Sequence, residues 1–162
     1  MKGGAFLIFV FIYSFCHAQD PAKQKQLNAV RVTETPKIDG LLDDACWMNV
    51  PLATDFFEIR PVPGRVETKD RRTEMKVVYD DIAVYVYARM YDHPDSVSHE
   101  LVSRDNIGNA DFISIIVDPF YDKMNGNGFF VTAAGVQFDA KYSQVGDEDP
   151  NWNAVWESAV KL

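Results

Sequence analysis

The chain has little cysteine, no excess of basic residues and no long amphipathic helical pattern, and these shortages exclude whole classes of protein. Two cysteines in 162 residues cannot form a multi-bridge disulfide scaffold. A net charge of −8 argues against a nucleic-acid-binding protein, because phosphate recognition requires a basic face. The same charge disfavours docking on an anionic membrane surface.

What the chain does contain is an ordinary globular composition with many aromatic residues. Hydrophobic residues make up 47% and charged residues 25%, and 162 residues allow one domain, with at most a short appendage. Phe, Tyr and Trp make up 13%, and such residues are enriched in strands. The composition therefore favours a β-rich domain.

The longest apolar run lies at the N-terminus and has the layout of a secretory signal peptide. Lys2 precedes the apolar residues 5–15, and Cys16 and Ala18 place small side chains at the −3 and −1 positions before Gln19. The run is shorter than the roughly 20 apolar residues that a spanning helix requires. We therefore predict cleavage after Ala18.

This interpretation divides the chain into a signal peptide at residues 1–18, a flexible leader at residues 19–27 and a domain at residues 28–162. It predicts export to the periplasm, the outer membrane or the cell exterior, with no transmembrane segment in the mature chain. Cys46 would remain as the only cysteine, so the mature chain would fold without an internal disulfide.

Short β-rich runs separated by turn signals fill the domain. The clearest are residues 73–79 and 82–91, which Asp80 and Asp81 join as a tight hairpin. Both faces of the second run are largely apolar, which predicts a strand in the middle of a sheet. Further strands are predicted at residues 29–33, 56–59, 112–117, 129–133, 136–142 and 152–162.

One helix interrupts this pattern. Residues 41–50 carry apolar side chains at helical spacing, and Pro51 closes the segment because proline disfavours helix in the residue before it. The predicted fold is all-β: an antiparallel β-sandwich of immunoglobulin-like or jelly-roll type with one short N-terminal helix.

No catalytic motif stands out. The chain has no GxSxG, no HExxH and no glycine-rich phosphate loop. Acidic residues are plentiful, but a glycosidase pair depends on a separation that sequence does not give. Enzymatic activity is therefore left open and is not favoured for this chain.

A long polar connection offers candidate metal ligands. Asp92, Asp105 and Asp111 lie in or beside it, and Ca²⁺ takes six to eight oxygen ligands, commonly from such loops. Solvated aspartates that cap turns explain the same pattern. Both interpretations stay open, with calcium as the candidate ion.

The three tryptophans differ in their surroundings. Trp47 and Trp156 lie among apolar neighbours and are predicted to be core residues. Trp152 follows a loop, between Asn151 and Asn153, where its ring would either pack or stack on a sugar.

Several segments together resemble carbohydrate-binding module family 9-like domains. The most specific are residues 38–47 (IDGLLDDACW) and 78–86 (VYDDIAVYV). The likeness continues at Asp92, Arg104, Asp105 and at residues 111–118 (DFISIIVD), 130–139 (FVTAAGVQFD) and 152–156 (WNAVW), and so spans about residues 30–162. The closest variety follows the signal peptide of large bacterial surface proteins, ahead of an outer-membrane-type region.

The resemblance implies a β-sandwich that binds polysaccharide or oligosaccharide without cleaving it, a link to polysaccharide catabolism, and bound calcium. We expect sugar contacts from Trp152, Asn151, Asn153 and Arg104. We expect calcium at Asp92, Asp105 and Asp111.

Two departures from the family pattern leave alternatives. Sugar-binding members carry Trp, Glu and Arg where this chain has Gly108, Ser114 and Val131. Either another aromatic ring stacks on the sugar, or the domain is an interaction or scaffold domain that has lost the sugar site. A third alternative is glycoside hydrolase activity in a longer parent protein. The family also continues with another strand after a segment like residues 152–162, so we expect the domain to be incomplete at its C-terminal end.

Overall fold

The computed structural model describes residues 25–144 and 148–162, and it is β-rich with two sheets. The predicted signal peptide and most of the predicted leader lie outside the described residues. Within the described ranges, no helix has the length and apolar content needed to cross a membrane.

The first sheet has three strands in the order β1-β2-β3. They are β1 (Val30–Arg31), β2 (Thr73–Tyr79) and β3 (Val84–Met90). β2 and β3 form the predicted antiparallel hairpin, whereas β1 runs parallel to β2, with Val30 opposite Val78.

Asp80 organises the turn of this hairpin. Its Oδ1 accepts hydrogen bonds from the backbone N–H groups of Ile82 and Ala83, and its Oδ2 accepts from the hydroxyls of Thr35 and Tyr85. The backbone bonds from Ala83 and Ile82 are the main reason why the pKa of Asp80 falls from 3.8 to about 2. The carboxylate therefore joins the turn, the segment after β1 and the start of β3.

The second sheet has four antiparallel strands in the order β4-β5-β6-β7. They are β4 (Phe112–Val117), β5 (Gly126–Thr132), β6 (Gln137–Tyr142) and β7 (Glu148–Asp149). Within residues 25–144 and 148–162, three short 3₁₀ helices lie in the connections, at Ala45–Trp47, Lys69–Arg71 and Pro94–Ser96.

Each sheet has its own hydrophobic cluster. The cluster of the first sheet is built from Trp47, Val50 and Val78, against which Val30, Val32, Cys46, Tyr85 and Tyr87 pack. Trp47 is 5% exposed, which confirms the prediction that it is a core residue. The cluster of the second sheet is built from Phe130, Phe138 and Ala140, with Ile107 and Tyr142 packed against it.

The aromatic rings of the second cluster pack so closely against Gly128 that they leave no room for a side chain at this position. A Cβ on this residue would lie 2.6 Å from Cε2 of Tyr142 and 2.8 Å from Cε2 of Phe130. Both aromatic rings therefore lie directly over the backbone of β5.

Gly40 makes a second close approach, between distant parts of the chain. Its φ is +80°, and a Cβ there would lie 3.3 Å from both the Cβ and the backbone nitrogen of Lys161. The turn around Gly40 therefore packs directly against the chain at residues 160–161.

The predicted hairpins at residues 73–91 and 129–142 are confirmed, and β4 has the predicted bounds. The prediction that the second run of the first hairpin lies in the middle of a sheet is wrong, because β3 is an edge strand. Its apolar outer face is exposed at Val84, Val86 and Met90.

Three smaller predictions are also corrected. The helix at residues 41–50 is only the 3₁₀ turn Ala45–Trp47, because the backbone of Asp44 is extended (φ −70°, ψ 142°) and no helical turn precedes Ala45. The strand at residues 56–59 is reduced to one bridge between Phe57 and Val66. The strand at residues 152–162 forms no ladder among the described residues.

Candidate functional site

Residues 152–158 lie across one face of the second sheet. Side chains alternate across a strand, so the residues paired in register with Phe129 share its face. Asp139 is paired with Phe129, and Gln137 and Lys141 are two positions to either side of Asp139. Burial alternates along residues 152–158 because every second side chain points at this face.

Asp139 anchors the segment. This carboxylate is 0% exposed, and its Oδ2 accepts a hydrogen bond of 2.7 Å from the backbone N–H of Ala154. Its Oδ1 accepts from Nε1 of Trp156 at 3.1 Å and from Arg104 at 2.7 Å. A buried carboxylate needs such partners, because an unpaired buried charge is strongly unfavourable.

Arg104 therefore has a structural partner as well as an exposed side. Its Nη1 donates to Oε1 of Gln137 at 2.7 Å, and 45% of the side chain remains exposed. Gln137 in turn donates to Oγ of Ser158 at 2.9 Å. These three residues line an open cavity of about 360 Å³ at the β5–β6 turn, together with Val102, Gly135 and Val136.

Trp152 lies at the other end of the same segment. Its ring is half-buried and meets Phe129 edge to face, with 5.9 Å between the ring centroids. Nζ of Lys141 lies 5.5 Å from the centroid of the indole. The flanking Asn151 and Asn153 are exposed. The ring thus packs against Phe129 and below Lys141, while the alternation along the segment directs the side chain of Asn153 away from the sheet.

The four predicted sugar-binding residues fall into two places. Trp152, Asn151 and Asn153 lie near Lys141 on β6, whereas Arg104 contacts Gln137, four residues earlier on that strand. At about 3.4 Å per residue the two places are roughly 14 Å apart. A single sugar ring does not span that distance, so the residues form one site only for a longer ligand.

The predicted metal ligands are also separated. Asp92 lies beyond β3 and pairs with Nε of Arg71 at 3.3 Å. Asp111 accepts the N–H of Ser98 at 2.9 Å, and Asp105 lies 3.7 Å from Nε of Arg104. In the part of the chain that the structure describes, no three His, Cys, Asp or Glu side chains are grouped to hold a metal. Calcium remains a prediction.

The loop between β4 and β5 holds two exposed aromatic side chains on an ordered backbone. Phe120 is 77% exposed and Tyr121 is 85% exposed. Asp118 accepts hydrogen bonds from the N–H groups of Phe120, Asp122 and Lys123, at 3.2, 3.2 and 2.8 Å.

Asp122 fixes the second half of this loop. It accepts from the side-chain amide of Asn125 and from the N–H groups of Met124 and Asn125, at 2.8 to 2.9 Å. These bonds, the Asn125 amide first, lower the pKa of Asp122. The two carboxylates thus satisfy successive backbone donors and define the course of the loop.

Sequence reasoning missed both Asp139 and the aromatic pair. An acidic residue within a strand of apolar neighbours was the available signal for Asp139, because such a residue must find partners when it is buried. For Phe120 and Tyr121 the signal was two aromatic residues between two aspartates in a turn, where exposure is expected.

Comparisons of the chain with protein-family models, with curated proteins and with solved structures found no match.

Proposed function

We propose that this chain is a non-catalytic carbohydrate-binding domain that acts in polysaccharide catabolism. The observation that carries the proposal is the setting of Trp152, a half-buried indole held against Phe129 between two exposed asparagines. Pyranose C–H faces pack on aromatic rings, while nearby polar groups bond the hydroxyls. Lys141, whose ammonium lies over the indole, supplies such a group, and Asn151 and Asn153 flank Trp152 in the sequence with exposed amides.

Arg104 provides a second place for hydroxyl groups. Asp139 balances its charge, and Asp105 lies close by, so the cavity is not a strongly basic site. A guanidinium has five N–H donors, and two are used for Asp139 and Gln137. This balance favours a neutral, hydroxyl-rich ligand over an anion.

The wider setting of the proposal is an antiparallel β-sandwich of immunoglobulin-like or jelly-roll type, exported through a signal peptide and stabilised by calcium. The two sheets, mostly of antiparallel strands, support the first part. The composition of residues 1–18 supports export. Mass spectrometry of exported protein tests it, and a mature chain that still begins at Met1 contradicts it.

An interaction or scaffold domain is the second candidate. The observation that favours it is the apolar outer face of β3, exposed at Val84, Val86 and Met90. Exposed apolar patches of this kind often mark sites of protein association. A domain of this class would bind no glycan.

Native gels that contain a soluble polysaccharide separate the two candidates. We expect wild-type protein to be retarded by at least one of the neutral polymers hydroxyethylcellulose, xylan and mixed-linkage β-glucan, and not by the anionic polygalacturonate. Trp152→Ala should abolish the retardation, and Trp152→Phe should keep part of it because a stacking ring remains. Passage of wild-type protein through every gel without retardation would overturn the proposal and favour the scaffold candidate.

Trp156→Ala is the matched tryptophan variant. Its indole donates to Asp139 and meets Phe129 edge to face at 5.5 Å. We expect this variant to lose stability more than Trp152→Ala does, because a buried carboxylate also loses a donor. Equal losses of stability, or retained binding in Trp152→Ala, would show that the roles of the two rings are misassigned.

A further inference from the structure

We propose that Phe120 and Tyr121 form a rigid aromatic platform for an extended, neutral polysaccharide chain. This inference rests on the proposed function and adds a second contact surface and a ligand class to it. We call the loop at residues 118–125 the aromatic loop.

The exposure of the two rings is the first observation. Phe120 and Tyr121 are adjacent, and more than three quarters of each is exposed to solvent. Leaving two neighbouring aromatic side chains in water forgoes the favourable free energy of burying them. A ligand that covers the rings would recover it.

The order of the backbone is the second observation. Asp118 and Asp122 accept six hydrogen bonds from within the aromatic loop. Tyr121 and Lys123 have φ values of +53° and +57°, which lie in the left-handed region that residues other than glycine seldom adopt. The carboxylate bonds hold this conformation. A preorganised loop loses little conformational entropy when a ligand binds.

The position of the loop is the third observation. It joins the end of β4 to the start of β5, and Asn127 at that start is paired with Lys141. Lys141 is the residue whose ammonium lies over the indole of Trp152. The aromatic loop and Trp152 are therefore at the same end of the second sheet, so a chain longer than one sugar is able to reach both.

The chemistry around the rings selects the ligand class. Lys123 and Asn125 are exposed polar residues of the same loop, and the carboxylates of Asp118 and Asp122 make the loop net acidic. An acidic loop disfavours anionic glycans and anionic lipid headgroups. A neutral sugar chain, with apolar ring faces and hydroxyl edges, fits aromatic rings with a polar rim.

The test uses a double variant that preserves the backbone. Phe120→Ser with Tyr121→Asn removes both rings, and asparagine tolerates the left-handed conformation at residue 121. Leu101→Ser is the matched control, because it removes an apolar side chain that is 80% exposed elsewhere on the surface. All proteins are first compared by thermal unfolding, and we expect their melting temperatures to agree.

Retardation in native gels gives the affinity for the same four polysaccharides. We expect the double variant to lose affinity for a neutral polymer by roughly tenfold or more, while Leu101→Ser behaves as wild type. The constituent monosaccharide, added at equal sugar concentration, should not release wild-type protein from the polymer.

The outcomes separate the inference from the proposed function. Wild-type binding that the double variant retains overturns the aromatic platform and leaves the carbohydrate function standing. If wild-type protein binds none of the polymers, both the aromatic platform and the carbohydrate function are overturned. Sedimentation with phosphatidylcholine–phosphatidylglycerol vesicles that depends on the two rings would overturn the glycan assignment in favour of a lipid surface. A lower melting temperature in the double variant would show that the rings serve the fold, and would also overturn it.

Discussion

Replacement of the buried Asp139 by asparagine should destabilise the protein far more than loss of a surface carboxylate. The wild-type carboxylate accepts from three donors, those of Arg104, Trp156 and Ala154. Asparagine has the same shape but only one oxygen. If that oxygen keeps the hydrogen bonds from Arg104 and Trp156, the new NH₂ group faces the backbone N–H of Ala154. In the wild type this N–H donates to Oδ2 of Asp139 at 2.7 Å, so in the variant it loses its acceptor.

The size of the effect follows from these contacts. A buried donor without a partner costs about 1–3 kcal/mol, and the two remaining bonds lose the assistance of a charge. The part contributed by the ion pair is smaller than for a fully buried pair, because 45% of the Arg104 side chain is exposed and water can solvate it. Together these terms predict a loss of about 2–4 kcal/mol in the free energy of unfolding. That is a large share of the 5–15 kcal/mol typical of a domain.

Urea unfolding followed by tryptophan fluorescence measures the loss. The control is Asp81→Asn, which breaks an exposed ion pair with Arg31, and we expect that change to stay below about 1 kcal/mol. Hydrogen exchange at the amide of Ala154 gives a local readout, which should become faster in Asp139→Asn. A change within about 0.5 kcal/mol of wild type, with unaltered exchange at Ala154, would refute the role given to this carboxylate.

Three further perturbations test other parts of the structure. Gly128→Ala should lower the free energy of unfolding by about 1–3 kcal/mol, since its Cβ would lie 2.6 Å from the ring of Tyr142, and an unchanged urea midpoint would contradict that packing. Because the pKa of Asp80 is depressed in the folded state, its contribution to stability is present above pH 3.8 and is lost as the pH falls towards about 2. Asp80→Asn should therefore flatten the acid limb of a stability–pH curve, and a limb as steep as that of wild type would exclude this role. Millimolar Ca²⁺ should raise the melting temperature of EDTA-treated protein, and the combined Asp105→Asn and Asp111→Asn changes should abolish the rise; no rise in wild type would exclude calcium there.

The strands were predictable where local signals suffice. Alternating apolar residues and an Asp-Asp turn locate the hairpin of β2 and β3, because period and turn chemistry are properties of a short window. The neighbours of a strand are not such a property. β3 is largely apolar on both faces, yet it lies at an edge, since pairing depends on segments far away in the chain.

The candidate site was predictable to a smaller extent for the same reason. The alternation of side-chain types along residues 152–158 is equally compatible with a strand paired in a β-ladder and with a segment that packs on the face of a sheet. The carboxylate of Asp139 decides between them, because it takes the N–H of Ala154 that a ladder would otherwise use. A bond between residues 15 positions apart is not encoded in either segment alone. The core position of Trp47 was easier to predict, since its apolar neighbours are close to it in the sequence.

The packing of Gly40 against Lys161 has a consequence for the rate of folding. Contacts between residues so far apart in sequence raise the contact order, and loop-closure entropy must be overcome before they form. The β2–β3 hairpin needs only neighbouring residues and is able to form early. The turn around Gly40 gains its last contacts only when residues 160–161 have arrived. We therefore expect amides near Gly40 to become protected from exchange later in refolding than those of the hairpin.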